Sequence, residues 1–99
     1  MKTKNEIEMD FERAIAQARE LEEISKELSQ IASQHITGAL ELLCYSWKGD
    51  NADKYFDGGN LLTGEMLETA DDLIKVAKNI RSTAGIVYNA EKAAMQLGY

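Results

Sequence analysis

The spacing of the apolar residues constrains this chain more than any other feature. Apolar or small side chains recur at alternating steps of four and three residues from Ile7 to Leu42, and a second run with the same spacing extends from Ala52 to Leu97. Such a repeat is typical of α-helices that pack along a narrow seam. Proline is absent, and no segment alternates apolar and polar residues as a strand does. The pattern therefore predicts an all-α fold of two long helices.

Local signals place the ends of these helices. Thr3 followed by Glu6 is a capping box, and Asp50 followed by Asp53 is a second helix start. We expect one helical-hairpin domain over 1–99, with a first helix at about 4–45, a turn at 46–49 and a second helix at about 50–97. The first predicted seam is Ile7, Phe11, Ala14, Ala18, Leu21, Ser25, Leu28, Ala32, His35, Ala39 and Leu42. The second is Ala52, Tyr55, Gly59, Leu62, Met66, Thr69, Leu73, Val76, Ile80, Thr83, Val87, Ala90, Ala94 and Leu97.

A reversal at Trp47 and Lys48 predicts an antiparallel pairing of the two seams, accurate to one helical turn. The expected pairs are Leu42 with Ala52, His35 with Gly59, Leu28 with Met66, Leu21 with Leu73, Ala14 with Ile80 and Ile7 with Val87. A neighbouring column of mostly small residues pairs Ala39 with Phe56, Ala32 with Thr63, Ser25 with Ala70, Ala18 with Ala77 and Phe11 with Ala84. Small side chains in this column let the two helix axes approach closely.

Three glycines, Gly58, Gly59 and Gly64, interrupt the second pattern. Each glycine inside a helix costs about 1 kcal/mol relative to alanine. Two alternatives follow: a continuous helix, and one with a kink or short break at 57–60. We interpret Gly59 as room for His35 on the facing helix.

Apolar residues extend beyond the predicted seams, so each helix needs more than one neighbour. They are Ile24, Ile31, Ile36, Leu40 and Leu43 in the first helix and Leu67, Ile74, Ile86, Tyr88 and Met95 in the second. Two hairpins packed as a four-helix bundle would cover them, and a homodimer is the commonest arrangement of this kind. For the hairpin and dimer interfaces we predict Leu21, Ile24, Leu28, Ile31, Leu42, Leu43, Phe56, Met66, Leu73 and Ile80.

Charge and composition exclude several classes of partner. Seventeen acidic residues against 11 basic ones give a net charge of -6, which disfavours nucleic acid and anionic membranes. No apolar run is long enough to span a bilayer, so we expect no stable membrane insertion and no cleavable signal peptide. The single cysteine, Cys44, is expected to be a small buried apolar residue.

The sequence offers no catalytic chemistry, and we expect no enzyme activity, cofactor or metal. His35 is the only histidine, and we interpret it as structural because no further metal ligands stand at suitable spacing. The acids at 50, 53 and 57 lack the spacing of a calcium-binding loop, so helix capping is the better interpretation.

The mid-chain turn carries a family resemblance. With Trp47-Lys48-Gly49 between two long helical patterns, followed by Ala52 and Phe56, the chain resembles the WXG family of early secretory antigenic target-like proteins. The resemblance implies helical hairpins that dimerise into four-helix bundles and leave Gram-positive bacteria and mycobacteria by type VII secretion. It also implies that Trp47 and Gly49, with a partner's C-terminal segment, form the surface that the secretion ATPase reads.

The family's second motif is only partly matched. A Tyr-x-x-x-Asp/Glu export signal would begin at Tyr88, but Lys92 occupies the fourth position and the acid, Glu91, comes one place early. By the resemblance, the partner is a second copy, a sister hairpin or the helical N-terminal region of a larger effector.

Three functional hypotheses follow. The first is a non-enzymatic substrate or partner of type VII export, made in the cytoplasm and then secreted or associated with the cell envelope. The second is an intracellular chaperone or adaptor that binds the helical targeting region of a larger type VII effector. The third is a purely structural coiled-coil protein.

Overall fold

The computed structural model describes residues 2–46 and 49–98, with all of their side chains except those of Ser46, Asp50 and Asn51. The chain is an all-α helical hairpin. Its elements are α1 (Lys4–Gln30), a π-helical segment (Ile31–Ile36), α2 (Thr37–Ser46) and α3 (Asp50–Gln96). The predicted helix limits differ from these by about one residue. None of the described helices combines the length and apolar character that crossing a bilayer requires.

The capping box at the start of α1 is confirmed. The Glu6 amide donates to Thr3 Oγ1 at 3.1 Å, and the Thr3 amide and hydroxyl donate to Glu6 Oε1 at 3.4 and 3.1 Å. These contacts satisfy amides that have no partner within the first helical turn.

Gly49 sets the start of α3. Its φ is +124°, a conformation that side-chain-bearing residues rarely adopt, and its carbonyl accepts the amide of Asp53 at 3.1 Å. Since the helix begins at Asp50, the cap position belongs to Gly49 rather than to Asp50 as predicted. Further along, α3 continues through Gly58 and Gly59 as one helix, so the short break considered at 57–60 is absent.

The hairpin divides into two compact units, each built from a stretch of both long helices. The terminal unit contains the described residues of Met1–Glu22 and Ile74–Tyr99, and the central unit contains those of Glu23–Leu73. In each unit two helical stretches pair antiparallel around small side chains. Ala18 and Ala77 are buried in the terminal unit, and Ala32 and Ala70 in the central unit.

One predicted pair is confirmed directly by a hydrogen bond. The buried hydroxyl of Ser25 donates to the carbonyl of Ala70 at 2.7 Å. Burying a hydroxyl without a partner would cost about 1–3 kcal/mol, so this bond favours the observed register over neighbouring ones. The small-residue column therefore lies between the helices of the central unit, as the sequence indicated.

The last part of the first predicted seam is wrong because of the π-helical segment. A π turn adds one residue to a turn of helix, so the side chains that follow it rotate by about one position. Ile36, Leu40 and Leu43 take the inward positions, and Leu40 is buried, whereas the predicted seam residues His35, Ala39 and Leu42 are exposed. The prediction assumed an unbroken α-helix and was wrong here for that reason.

Gly59 meets Leu40 instead of the predicted His35. A methyl group added at Gly59 would lie 2.6 Å from both δ carbons of Leu40. The glycine does provide room for a facing side chain, but the neighbour differs because of the π turn. Cys44 is also exposed, contrary to the expectation that it would be buried.

Six of the fourteen residues of the second predicted seam face inward. Ala52 is buried and Gly59, Met66, Leu73, Ile80 and Ala94 are half-buried, but Tyr55, Leu62, Thr69, Val76, Thr83, Val87, Ala90 and Leu97 are exposed. The inward face is completed instead by Phe56, Thr63, Ala70, Ala77 and Ala84, the predicted neighbouring set. The helix is rotated toward its small residues because these allow the backbones to approach closely.

Candidate association surface

One side of the terminal unit is closed by charged side chains, which we call the ion-pair side. Arg81 donates to Glu22 with two nitrogens, Nη2 to Oε1 at 2.6 Å and Nε to Oε2 at 3.3 Å. Further along, Glu8 Oε1 accepts from Tyr88 Oη at 2.8 Å and from Lys92 Nζ at 3.2 Å. Glu8 and Glu22 are two heptads apart, so they lie on the same flank of α1.

The ion pairs shift the pKa values of their members. Hydrogen bonds from Tyr88 and Lys92 lower the pKa of Glu8, and the Arg81 guanidinium lowers the pKa of Glu22. The pKa of Lys92 is raised, first by Glu8 and then by Tyr88. These shifts favour the ionised forms, as expected for opposite charges within hydrogen-bonding distance.

Tyr88, the first residue of the degenerate export motif, is held by α1. Its ring lies 4.6 Å from the ring of Phe11, centroid to centroid and tilted by 40°, and Lys92 Nζ lies 5.3 Å from the Tyr88 centroid. Glu91 Oε1 accepts from Lys2 Nζ at 3.0 Å, and Lys2 also pairs with Asp10 at 2.8 Å. Both motif residues therefore contact the N-terminal part of the chain.

The other flank of the terminal unit is an open apolar cleft of about 430 Å³. The cleft is lined by Lys2, Ile7, Asp10, Phe11, Ala14, Val76, Asn79, Ile80, Thr83, Ala84, Val87, Tyr88 and Glu91. We call the part of it formed by Ile7, Asp10, Ala14, Val76, Ile80, Thr83 and Val87 the terminal open face. Val76 and Val87 remain 47% and 46% exposed. Because Ile7 and Ala14 flank Phe11 and Ala18 on the side away from Glu8 and Glu22, the ion pairs of Glu8 and Glu22 do not cover this face.

The charges at the border of the terminal open face are of both signs. On the α3 side, Asn79 and Ile86 are uncharged, Asp72 lies one turn before Val76, and Glu91 lines the cleft and pairs with Lys2. On the α1 side, Glu6 and Arg13, each one turn from Asp10, carry opposite charges. The Asp10 carboxylate is neutralised by Lys2, which lowers the pKa of Asp10. A second apolar surface of similar shape can therefore approach without meeting a strong field of one sign.

The central unit presents the same heptad positions to solvent. We call this surface the central open face; its residues are Ile24, Leu28, Ile31, Leu62, Met66, Thr69 and Leu73. Ile24, Ile31 and Leu62 are 50%, 43% and 48% exposed. In an antiparallel helix pair these flanks lie on the same side, as the lining of the terminal cleft demonstrates for its own unit.

The predicted interface residues divide between the hairpin seam and the open faces. Leu21, Leu28, Leu43, Phe56, Met66, Leu73 and Ile80 are half-buried, whereas Ile24, Ile31 and Leu42 are exposed. Ile24 and Ile31 belong to the central open face, but Leu42 does not face Ala52 across the seam as predicted, because of the π turn. Trp47, the predicted turn residue, lies outside the described part of the chain; Gly49 is described and exposed.

Sequence reasoning missed Val76 and Val87 as open-face residues, since it assigned both to the hairpin seam. The column of small residues was the available signal, because it indicates which face of α3 turns inward. Among residues 2–46 and 49–98, no three His, Cys, Asp or Glu side chains are grouped as they would be to hold a metal ion. No family model, curated protein or solved structure gives a significant match to this chain.

Proposed function

We propose that this protein acts by helix–helix association through its open apolar faces, as a non-enzymatic substrate or partner of a type VII secretion system. The observation that supports association is the difference between the two sides of the terminal unit. One side is closed by ion pairs, and the other keeps half-exposed valines around a cleft of about 430 Å³. Covering such a surface is worth roughly 25 cal/mol per Å² of apolar area removed from water.

The secretion pathway in this proposal comes from the resemblance of the Trp47-Lys48-Gly49 turn and of the hairpin as a whole to the WXG family. A second copy of the chain is the first partner to test for the terminal open face. The mixed signs of the charges around it, with Lys2 paired to both Asp10 and Glu91, support this choice, because two identical faces would not meet a strong field of one sign.

Sedimentation equilibrium of the purified chain tests association. We expect a species of twice the chain mass, and a dissociation constant at least about 100-fold higher for Val76→Glu, because a carboxylate would be buried without a partner. Met9→Glu is the matched control, since Met9 is 51% exposed on the outer surface of α1. A wild-type chain that stays monomeric at high concentration and binds no helical partner would contradict the proposal.

The adaptor hypothesis remains a second candidate, and one observation favours it. The two open faces have different borders, mixed or uncharged in the terminal unit and acidic in the central unit. A chain that bound only itself would need no such difference. Co-expression with a larger helical effector distinguishes the two functions: an adaptor forms a 1:1 complex and is retained in the cell, whereas an export substrate appears in the culture medium.

A further inference from the structure

We infer that the central open face binds an amphipathic α-helix of another protein whose apolar stripe is flanked by lysine or arginine. This inference rests on the proposed function, since it names the partner for one of the faces through which association occurs. It depends on two features of the central unit: a stripe without charge, and a border on both helices whose charged residues are all acidic.

The stripe itself contains no ionisable residue. The positions of the central open face, three on the first helix from Ile24 to Ile31 and four on α3 from Leu62 to Leu73, are apolar or threonine. This composition suits the i, i+3, i+4, i+7 anchors of a partner helix that lies along the groove between the pair.

The border of the stripe is acidic on both sides. Glu27 lies one turn from both Ile24 and Ile31, Glu65 one turn from Leu62 and Thr69, and Asp72 one turn from Thr69. All three carboxylates are exposed, and none forms an ion pair with a Lys or Arg of the described chain. Gln34 and Gly58 occupy the remaining border positions, so no positive charge offsets the acids there.

Charge complementarity then selects the partner. A helix with basic residues beside its apolar stripe would place them against Glu27 on one side and against Glu65 and Asp72 on the other. A second copy of this chain would bring the same carboxylates toward one another, which costs free energy and slows association. The terminal open face differs in that its border also carries Arg13, and Lys2 pairs with both Asp10 and Glu91 there, so the two units differ in the partner they favour.

Two synthetic peptides of about three heptads test the inference, both with leucine at the stripe positions. One carries lysine at the flanking positions and the other carries glutamate. Fluorescence anisotropy with the full-length chain should show about tenfold tighter binding of the lysine peptide, and this preference should weaken as salt is added.

The triple variant Glu27→Gln, Glu65→Gln, Asp72→Asn should lose the preference and bind both peptides alike. The control variant Glu12→Gln, Glu41→Gln, Asp57→Asn makes the same change in net charge at exposed positions away from the face, and it should keep the preference. Circular dichroism of both variants checks that helix content is unchanged.

Each result has a distinct meaning. Equal binding of the two peptides, or a preference that survives the triple substitution, overturns the inference. A chain that dimerises in the centrifuge yet binds neither peptide overturns the inference and leaves the proposed function standing. A chain that neither dimerises nor binds either peptide overturns both.

Discussion

At the scale of single residues, glycines and ion pairs decide how closely the two helices of each unit approach. Gly59 and Leu40 are the tightest example, because the Leu40 side chain fills the space that a side chain at position 59 would need. Gly58, the residue before Gly59, has no atom of the facing helix within 4 Å of the position that a Cβ atom would occupy. Substitution of Gly58 by alanine therefore tests helix propensity alone, whereas substitution of Gly59 also tests packing against Leu40.

We expect Gly58→Ala to stabilise the fold by up to about 1 kcal/mol, because alanine favours the helix. Gly59→Ala should fail to gain this and be at least about 1 kcal/mol less stable than Gly58→Ala, since Leu40 must move out of a buried site. Urea unfolding followed by circular dichroism measures both. Equal stability of the two variants would show that Leu40 moves without cost.

The lowered pKa values of Glu8 and Glu22 predict a dependence of stability on pH. In the unfolded chain these carboxyls titrate near the ordinary value of about 4.3, and in the folded chain they titrate lower because Tyr88, Lys92 and Arg81 hydrogen-bond the ionised form. Their contribution is therefore fully present above the unfolded pKa and is lost as the pH falls through the folded pKa.

The test compares wild type with Glu22→Gln by urea unfolding across the acidic range. The wild type should be the more stable at neutral pH, and the difference should shrink as the pH falls below about 5. Glu12→Gln, at an exposed carboxylate without an ion pair, should stay close to wild type throughout. A difference for Glu22→Gln that persists in acid would point to the side chain's packing rather than to its charge.

At the scale of elements, the π-helical segment decides which side chains of the first helix face α3. Thr37 Oγ1 donates to the Ala32 carbonyl five residues earlier, at 3.1 Å, within this wider turn. The extra residue carries Leu40 and Leu43 inward in place of Ala39 and Leu42, so a leucine replaces an alanine on the seam. Burying a leucine side chain contributes about 1.5–3 kcal/mol, which offsets the cost of a single irregular turn.

Deleting one residue inside this segment should therefore be tolerated. Without Gln34, the steps from Ala32 to Ile36, Leu40 and Leu43 become three, four and three, so a regular α-helix would keep the same side chains inward. The matched deletion of Gln17 rotates Ile7, Phe11 and Ala14 off the seam and should cost several kcal/mol. Thermal unfolding of both deletions measures the difference, and a large loss on removing Gln34 would contradict this account.

At the scale of the whole molecule, the proposed route out of the cell depends on the turn that joins the two long helices. The predicted seams do not include Trp47, so a change there should leave most of the helix content intact. The proposed export can therefore be tested separately from folding.

Trp47→Ala should reduce the protein in the culture supernatant to background while its level in the cell lysate remains normal. The reason comes from the family resemblance, in which the Trp-x-Gly turn is part of the surface that the secretion ATPase reads. Tyr45→Ala removes another aromatic side chain, 87% exposed near the turn, and should be exported normally. Quantitative immunoblots of both fractions give the readout; normal export of Trp47→Ala would remove the support for the type VII assignment.

The heptad spacing, the capping residues and a reversal at Trp47 and Lys48 were enough to predict two antiparallel helices, their limits and the pairing of Ser25 with Ala70. These follow from local rules, since capping residues, apolar periodicity and small-residue columns act over a few residues of chain. The candidate surface was predicted less well. Ile24 and Ile31 were recognised as lying off the seam, but Val76 and Val87 were assigned to its interior.

Only the tertiary structure decided the rotation of α3, the inward turn of Leu40 and the side of the terminal unit that ion pairs close. A one-residue rotation changes which of two adjacent apolar columns is buried, and the sequence repeat fits both columns equally well. The choice depends on close contacts between helices, such as Leu40 against Gly59 and Arg81 with Glu22. Such contacts join residues that are distant in sequence, so they cannot be predicted from the apolar repeat of either helix alone.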